Sequence, residues 1–382
     1  MKKYFLVSLV SILVFSNALA KPIKNKFYEN PPLQAKIGIE TNFYFGKIIK
    51  HTKLFKTPIS KYSYAYEVGV NFYNYGEKPW QRKWKYPMAG ISFIHGLYGD
   101  KQYFGNSYSI LPYLNIWIFR NKVVDAYFRM GFGIGVLTKH YDEITNPGNN
   151  VIGSSLNNIT QFKLGLDWKI NTHVFLNTCG SFTHWSNAKI QNPNLGINLA
   201  AITVGLKIFP SLKEYSYETN KPPKPKKRNE GMIKYSIGIS EMGKTPGGPK
   251  FMTHTGTIAL NRYTSAVNKV FGGLSVSYES TIYNQLKYSE INKGENQHWK
   301  ATSLSVFIGD EMVFGKVGLF AMLGFYVHYP TEIKRKIYFK LGANYYYASF
   351  GKDKAQKLFL GVNLKAHGFV ASMIEFSQGI TF

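Results

Sequence analysis

Between Asp125 and Thr138 every second residue is apolar. Ala126, Phe128, Met130, Phe132, Ile134 and Val136 share one parity, and Tyr127, Arg129, Gly131, Gly133 and Gly135 share the other. Residues Gln161 to Lys169 repeat the pattern, setting Phe162, Leu164, Leu166 and Trp168 against Gln161, Lys163, Gly165, Asp167 and Lys169. A period of two with one apolar face marks a β-strand whose two sides meet different surroundings. Read along the chain, the pattern predicts eight strands before residue 210, at about 35–48, 61–74, 85–98, 107–119, 124–138, 159–170, 173–187 and 196–209. A further eight follow residue 230, at about 231–240, 252–263, 270–283, 299–309, 314–328, 335–348, 355–366 and 368–382.

Many of these strands are about twice as long as the ~5–6 residues of an ordinary strand. Long strands with an apolar face and a glycine-rich or charged opposite face describe a transmembrane β-barrel, apolar toward lipid and polar toward its own interior. No segment holds about 18 uninterrupted apolar residues, so no transmembrane helix is predicted. The expected fold is therefore all-β: an outer-membrane antiparallel barrel of eight strands in the first half, and a second eight-stranded barrel in the second. Between them, residues 211–230 form a Pro/Lys-rich linker that includes TNKPPKPKKRNE (219–230), where the prolines oppose regular structure. One sixteen-stranded barrel is the rival arrangement, and the linker disfavours it. An even number of strands returns the chain to its starting side, which puts linker and both ends in the periplasm. The last strand, GFVASMIEFSQGITF, ends on Phe382. It resembles the C-terminal strand of bacterial outer-membrane proteins, which implies the barrel-insertion machinery as a partner.

The amino terminus adds an address. In MKKYFLVSLVSILVFSNALA two lysines precede an apolar run too short to span a membrane, and Ala18-Leu19-Ala20 supplies a small-residue cleavage pattern. Residues 1–20 are read as a secretory signal, leaving 21–210 for the first barrel and 231–382 for the second. The single cysteine, Cys179, excludes an intramolecular disulfide framework and cannot alone make a metal site. A net charge of +26 suits a phosphate-rich surface, and secretion argues against nucleic acid.

Candidate chemistry gathers in FTHWSNAKIQNPNLGIN, residues 182 to 198. On the seventh strand His184 and Ser186 share the parity of Val174, Leu176 and Phe182, the lipid-facing side. Asn198 shares the outer parity of Ile202, Val204, Leu206 and Ile208 on the eighth. With odd strands rising from the periplasm, all three meet at the extracellular rim, where lipopolysaccharide lies. A polar group left unpaired in an apolar setting costs ~1–3 kcal/mol, so their placement asks for a task. An imidazole beside a serine can take its proton and leave a nucleophile for an ester carbonyl, and the Asn-rich turn offers amide donors for the oxyanion.

HWSNA followed by PNLGIN resembles the lipid A 3-O-deacylases, the PagL family of eight-stranded outer-membrane barrels that remove an ester-linked acyl chain from lipid A. LTKHYD (137–142) and NPGNNVIGSSLN (146–157) resemble segments of the family's larger relatives, the acyloxyacyl hydrolases. The resemblance covers about residues 35 to 210. It implies Ser186 as nucleophile, His184 as base, Asn187 beside the serine and Asn194 in the oxyanion hole. One departure matters: where the family places the triad's Glu, this chain has Asn198. Between Asp167 and Glu214 there is no other acidic residue, so Asp142 and Glu143 of the preceding external loop are the remaining carboxylates nearby. Asn198 can accept a hydrogen bond from the imidazole and fix its tautomer, yet it cannot balance the imidazolium charge.

The remaining features read as structure first. GFGIGV (131–136) spaces its glycines at period two, as a crowded barrel interior requires. NPGNN (146–150) is turn chemistry, and His140 is a loop residue. Lys53 and Lys139 are candidates for lipid A phosphates, with solvated loop charge as the plainer reading. The second half shows no His-x-Ser element, and His254, His298, His328 and His367 are scattered. The expectation is thus a serine esterase of the lipid A deacylase type, with no cofactor and no metal, the alternative being a degenerate barrel used as scaffold or adhesion surface. Its partners would be lipid A within lipopolysaccharide, other outer-membrane lipids and a second copy of itself as a homodimer, with no nucleic acid.

Overall fold

A computed structural model describes residues 36–210, 217–221, 229–243, 245–289, 294–329, 336–352, 355–368 and 370–382. The signal segment and residues 211–216 and 222–228 of the linker lie outside the described residues. The chain divides into two compact units, each built on one closed antiparallel barrel of eight strands. The first barrel runs β1 (Ile37–Ile48), β2 (Ser63–Phe72), β3 (Met88–Leu97), β4 (Asn106–Arg120), β5 (Val124–Leu137), β6 (Leu156–Lys169), β7 (Val174–Ser186) and β8 (Ile197–Ile208). β1 closes on β8, with Ile39 opposite Ile208 and Ile48 opposite Leu199. The second runs β9 (Asn229–Glu241), β10 (Lys250–Ser265), β11 (Asn268–Glu279), β12 (Thr302–Phe314), β13 (Val317–His328), β14 (Ile337–Phe350), β15 (Gln356–His367) and β16 (Val370–Thr381). β16 closes on β9. Two barrels, and not one of sixteen strands, is the arrangement that the linker's composition favoured.

Several boundaries shift by a few residues from the sequence reading, β12 for instance running Thr302–Phe314 where 299–309 was expected, and two of the shifts have a clear origin. β11 stops at Glu279 and a helix, Ser280–Tyr288, follows where strand was expected to residue 283. The cause lies in a partner strand: β12 begins pairing at Thr302, opposite Tyr278, so an extension of β11 would have no ladder on that side. A helix satisfies its own backbone instead. At the other boundary, Asn229 and Glu230 pair with Arg262 and Asn261 as the start of β9.

Each barrel is inverted relative to a water-soluble domain. Twelve residues of β1 reach about 40 Å and, tilted by ~45°, about 28 Å, close to the ~30 Å hydrocarbon layer. Outward residues are large, apolar and exposed, as in Ile202 at 68% and Leu164 at 62%. Inward residues are sealed: an apolar cluster that includes Ile48, Leu137, Ile159, Trp185 and Leu199 fills one part of the first barrel, and charged groups fill another. Glu40, Glu67, Arg129, Lys163, Asp167 and Lys207 are each at most 1% exposed. The Arg129 guanidinium donates to Glu40 at 2.8 Å and to Glu67 at 3.2 Å, and its face lies 3.7 Å from the Tyr113 ring centroid. Lys163 pairs with Glu67, and Lys207 with Asp167. Asn42 donates to both glutamates, and Tyr44 to Glu67 at 2.6 Å. Cys179 joins this interior as a buried thiol against Tyr127. Close packing also explains the glycines of β5, because a Cβ on Gly133 would stand 2.0 Å from the Ile110 carbonyl oxygen. The second barrel follows the same plan, with Lys269–Glu311 at 3.0 Å and Lys340–Glu375 at 2.6 Å.

Removing one partner from such a network leaves the others charged and dry, at a cost of about 3–5 kcal/mol. Arg129→Ala should therefore destabilise the first barrel by that amount. Urea titration followed by the compact, heat-modifiable gel band in detergent measures it, and an unchanged midpoint would show that the network contributes little.

Candidate active site

The site is set by strand register. His184 on β7 stands directly opposite Asn198 on β8, on the lipid-facing side. Side chains of such a cross-strand pair start ~4.5–5.5 Å apart at Cβ and meet without further adjustment. His184 Nδ1 lies 2.5 Å from Asn198 Oδ1. The Asn198 amide nitrogen in turn lies 2.8 Å from His51 Nδ1. Closure of the barrel supplies this third residue: β1 pairs with β8 up to Ile48, and Ile49 N donates to the Asn198 carbonyl at 2.8 Å.

Proton positions follow from the donors. A carboxamide nitrogen only donates and its oxygen only accepts. With Asn198 Nδ2 donating to His51 Nδ1, Asn198 Oδ1 must receive the hydrogen of His184 Nδ1. His184 Nε2 is then the nitrogen that carries a lone pair, the form a general base needs. Gly196 makes room for the ring: at φ 80° it adopts the left-handed conformation, and a Cβ there would stand 2.4 Å from His184 Cε1.

Ser186 closes β7 opposite Asn158 and is 8% exposed. Its hydroxyl donates to Asn194 Oδ1 at 3.1 Å, and the Asn187 backbone N–H donates to the same oxygen at 3.0 Å. Asn194 thus presents its carbonyl to the serine, where an oxyanion donor would present its amide. It holds Ser186 in place. The Asn187 side chain donates to Ser154 Oγ at 2.8 Å.

Below this rim the β5–β6 loop acts as a scaffold. Leu195 N donates to Val151 O at 2.8 Å, and Ile152 bridges Asn194. Asn149 Oδ1 accepts from the amides of Val151 and Ile152, while Asn150 Oδ1 accepts from Lys56 and Thr57. The asparagines of NPGNN therefore tie the β1–β2 loop to the loop that carries Asn194.

The other candidates stand apart. Asp142 accepts from Ile144 N, Thr145 N and Thr145 Oγ1, closing its own turn. The backbone and hydroxyl of Thr145, with the amide of Ile144, hold its carboxyl below the ordinary value. Glu143 is exposed beside it. His140 Nδ1 contacts the Tyr141 carbonyl. Lys53 is exposed, and Lys139 is exposed and donates to Gln102 O at 3.4 Å. Among the described residues no cluster of three His, Cys, Asp or Glu side chains fits a metal ion, and no helix is long and apolar enough to cross a membrane. The sequence reading missed His51 and Ser154. His51 sits in no local motif, and Ser154, although within NPGNNVIGSSLN, carries no sign of its partner; barrel closure and loop packing bring them in.

Fold and site define a class: a membrane β-barrel with a Ser–His–Asn constellation at one rim. The family follows. Residues 64–207 match the family described as lipid A 3-O-deacylase (PagL), and residues 229–382 match the family described as acyloxyacyl hydrolase, C-terminal domain. The first barrel is thus similar to the lipid A 3-O-deacylases and the second to the C-terminal domains of acyloxyacyl hydrolases. Family and fold together indicate an outer-membrane protein. No curated protein sequence matches the chain. Among solved structures, Neisserial surface protein A aligns at 8% identity over 46% of this chain and 97% of its own, with a TM-score of 0.34. The outer membrane enzyme PagL aligns at 17% identity over 44% of this chain and 98% of its own, with a TM-score of 0.31. A Rhodopseudomonas blastica porin mutant aligns at 6% identity over 91% of this chain and 98% of its own, with a TM-score of 0.17.

Gly196→Ala should displace His184 from Asn198. A crystal structure of the variant is expected to show Nδ1 and Oδ1 too far apart to share a hydrogen. Gly180→Ala, where a Cβ meets nothing within 4 Å, is expected to keep them together. An intact hydrogen bond in Gly196→Ala would mean that the ring's position does not depend on the glycine.

Proposed function

We propose that the first barrel is a serine esterase of the outer membrane that removes an ester-linked acyl chain, at position 3, from lipid A. The observation that carries this reading is the 2.5 Å contact between His184 and Asn198 on the lipid-facing side, with Ser186 one outward position further along the same strand. The family of the first barrel supports the substrate.

Ser186 Oγ leaves Asn194 Oδ1, turns to His184 Nε2, and attacks the ester carbonyl as its proton passes to the imidazole. Hydrogen bonds of this kind are often formed only once substrate is bound. The imidazolium keeps its Nδ1–H on Asn198 Oδ1. Collapse of the tetrahedral intermediate expels the sugar hydroxyl, which takes the proton back from His184. Water, deprotonated by the same nitrogen, then hydrolyses the acyl-serine. Asn187 and Asn194 stabilise the oxyanion after the serine has moved, when the Asn194 amide can rotate toward it. Lys53 and Lys139, both exposed in rim loops, meet the lipid A phosphates.

Asn198 orients the imidazole without balancing its charge. In serine proteases the exchange of the triad Asp for Asn lowers turnover by about 10⁴, so this enzyme turns over slowly. The neutral Asn198 is also what favours the second reading, a barrel that has kept the constellation and lost the reaction.

Mass spectrometry of lipid A from cells expressing the wild type or Ser186→Ala separates the two. Loss of one hydroxyacyl mass with the wild type alone is expected. Identical spectra, with both proteins present in the outer membrane, would favour the inactive barrel.

A further inference from the structure

The second barrel brings a serine and a histidine together that no sequence spacing announces. β15 ends at His367 and β16 begins at Val370. The ladder between them pairs Lys365 with Met373 and then Ala366 with Ala371, so Ser372 is an extra residue on β16, a β-bulge. By simple alternation the two side chains would part: His367 shares the inward parity of Asn363 and Lys365, and Ser372 the outward parity of Ile374 and Phe376. A bulge re-aims the side chain at its centre. Here it turns Ser372 Oγ to within 2.6 Å of His367 Nδ1.

The far side of the ring is also held. His367 Nε2 lies 3.0 Å from the hydroxyl of Tyr326, and the two rings stack with centroids 5.7 Å apart. Tyr326 is 3% exposed and sits beneath Lys365, whose ammonium is 3.6 Å from Glu279. When the serine hydroxyl donates to a bare Nδ1, Nε2 carries the hydrogen and donates it to the Tyr326 oxygen. That is the tautomer of a general base in contact with its nucleophile. Further along β16, Phe376 is 54% exposed on the outward, lipid-facing side. Elsewhere in this barrel the imidazoles of His254 and His298 contact phenols, Tyr235 and Tyr278.

We propose that Ser372 and His367, positioned by Tyr326, form a second acyl-ester-hydrolysing site, acting on an ester-linked acyl chain of a membrane lipid. Ser372 Oγ attacks the carbonyl carbon while its proton moves to His367 Nδ1. The C–O bond to the lipid alcohol breaks, and the alcohol leaves with that proton. Water, giving a proton to the same nitrogen, cleaves the acyl-serine to free fatty acid, and the nitrogen returns that proton to the serine. The site is independent of the first, and Ser372 and His367 are the catalytic residues.

The test uses the full chain carrying Ser186→Ala, purified in detergent micelles and treated with an alkyl fluorophosphonate, which modifies serines activated by a base. Peptide mass spectrometry should find the adduct on Ser372. Its rate should fall at least tenfold in His367→Ala, with the heat-modifiable band showing both chains folded. Tyr326→Phe, isosteric but without the hydroxyl, should slow adduct formation at saturating probe and leave the half-saturating probe concentration unchanged. The same Ser186→Ala chain should release fatty acid from lipid A and phospholipid in mixed micelles, and Ser372→Ala should abolish that release. An unmodified Ser372 at probe excess, equal labelling in His367→Ala, or release unaffected by Ser372→Ala would each overturn the proposal.

Discussion

In a hydrocarbon layer an unpaired backbone amide or carbonyl costs several kcal/mol, and a row of them along an open sheet edge excludes the structure altogether. The seam between β1 and β8 removes that edge from the first barrel, and the site depends on it. Pairing from Ile39–Ile208 up to Ile48–Leu199 fixes β1 against β8. The next backbone bond, from Ile49 to the Asn198 carbonyl, carries the chain past the end of the ladder. That places His51 against the Asn198 amide. The same closure that makes the barrel compatible with lipid thus determines which way Asn198 faces. Through Asn198 it determines which nitrogen of His184 holds a hydrogen.

Polar groups in the first barrel have two destinations. Inside the wall, Arg129, Glu40, Glu67 and Lys163 bind one another behind an apolar exterior. Those at the rim are held by specific contacts, Ser186 by Asn194 and His184 by Asn198. A paired interior gives the strands a rigid register, and a rigid register is what lets two side chains on different strands meet at hydrogen-bond distance. Ser186 sits where β7 ends, outside the ion-paired interior of the wall.

Much of this was legible in the sequence because alternation reports directly on a wall with two unlike faces. Ala126, Phe128 and Met130 against Tyr127, Arg129 and Gly131 gave the orientation of β5, and the outward parity of His184 and Asn198 gave their meeting. What local parity cannot carry is pairing between distant segments. His51 is 147 positions from Asn198 in the chain, and only closure joins them. Nor can parity survive a bulge: it sent Ser372 and His367 to opposite faces, and one extra residue in β16 reversed that. The helix at Ser280–Tyr288 was hidden for a related reason. The end of a strand depends on where its partner begins, and Thr302 lies far along the chain. The turn-forming asparagines of NPGNN were recognised as turn residues, but their hydrogen bonds to the β1–β2 loop required the folded neighbour.

The central claim is that Asn198 orients His184 for catalysis and limits its rate by lacking charge. Asn198→Asp tests it most directly, because Asp keeps the shape and the accepting oxygen while adding the missing negative charge beside the imidazolium. The measurement is the turnover number of purified full chain on lipid A in micelles, with folding followed by the heat-modifiable band. The account predicts a kcat at least about tenfold above wild type, within the ~10⁴ range known for this exchange in serine proteases. Unchanged or lower turnover in a folded Asn198→Asp chain would show that Asn198 is not the group that governs His184.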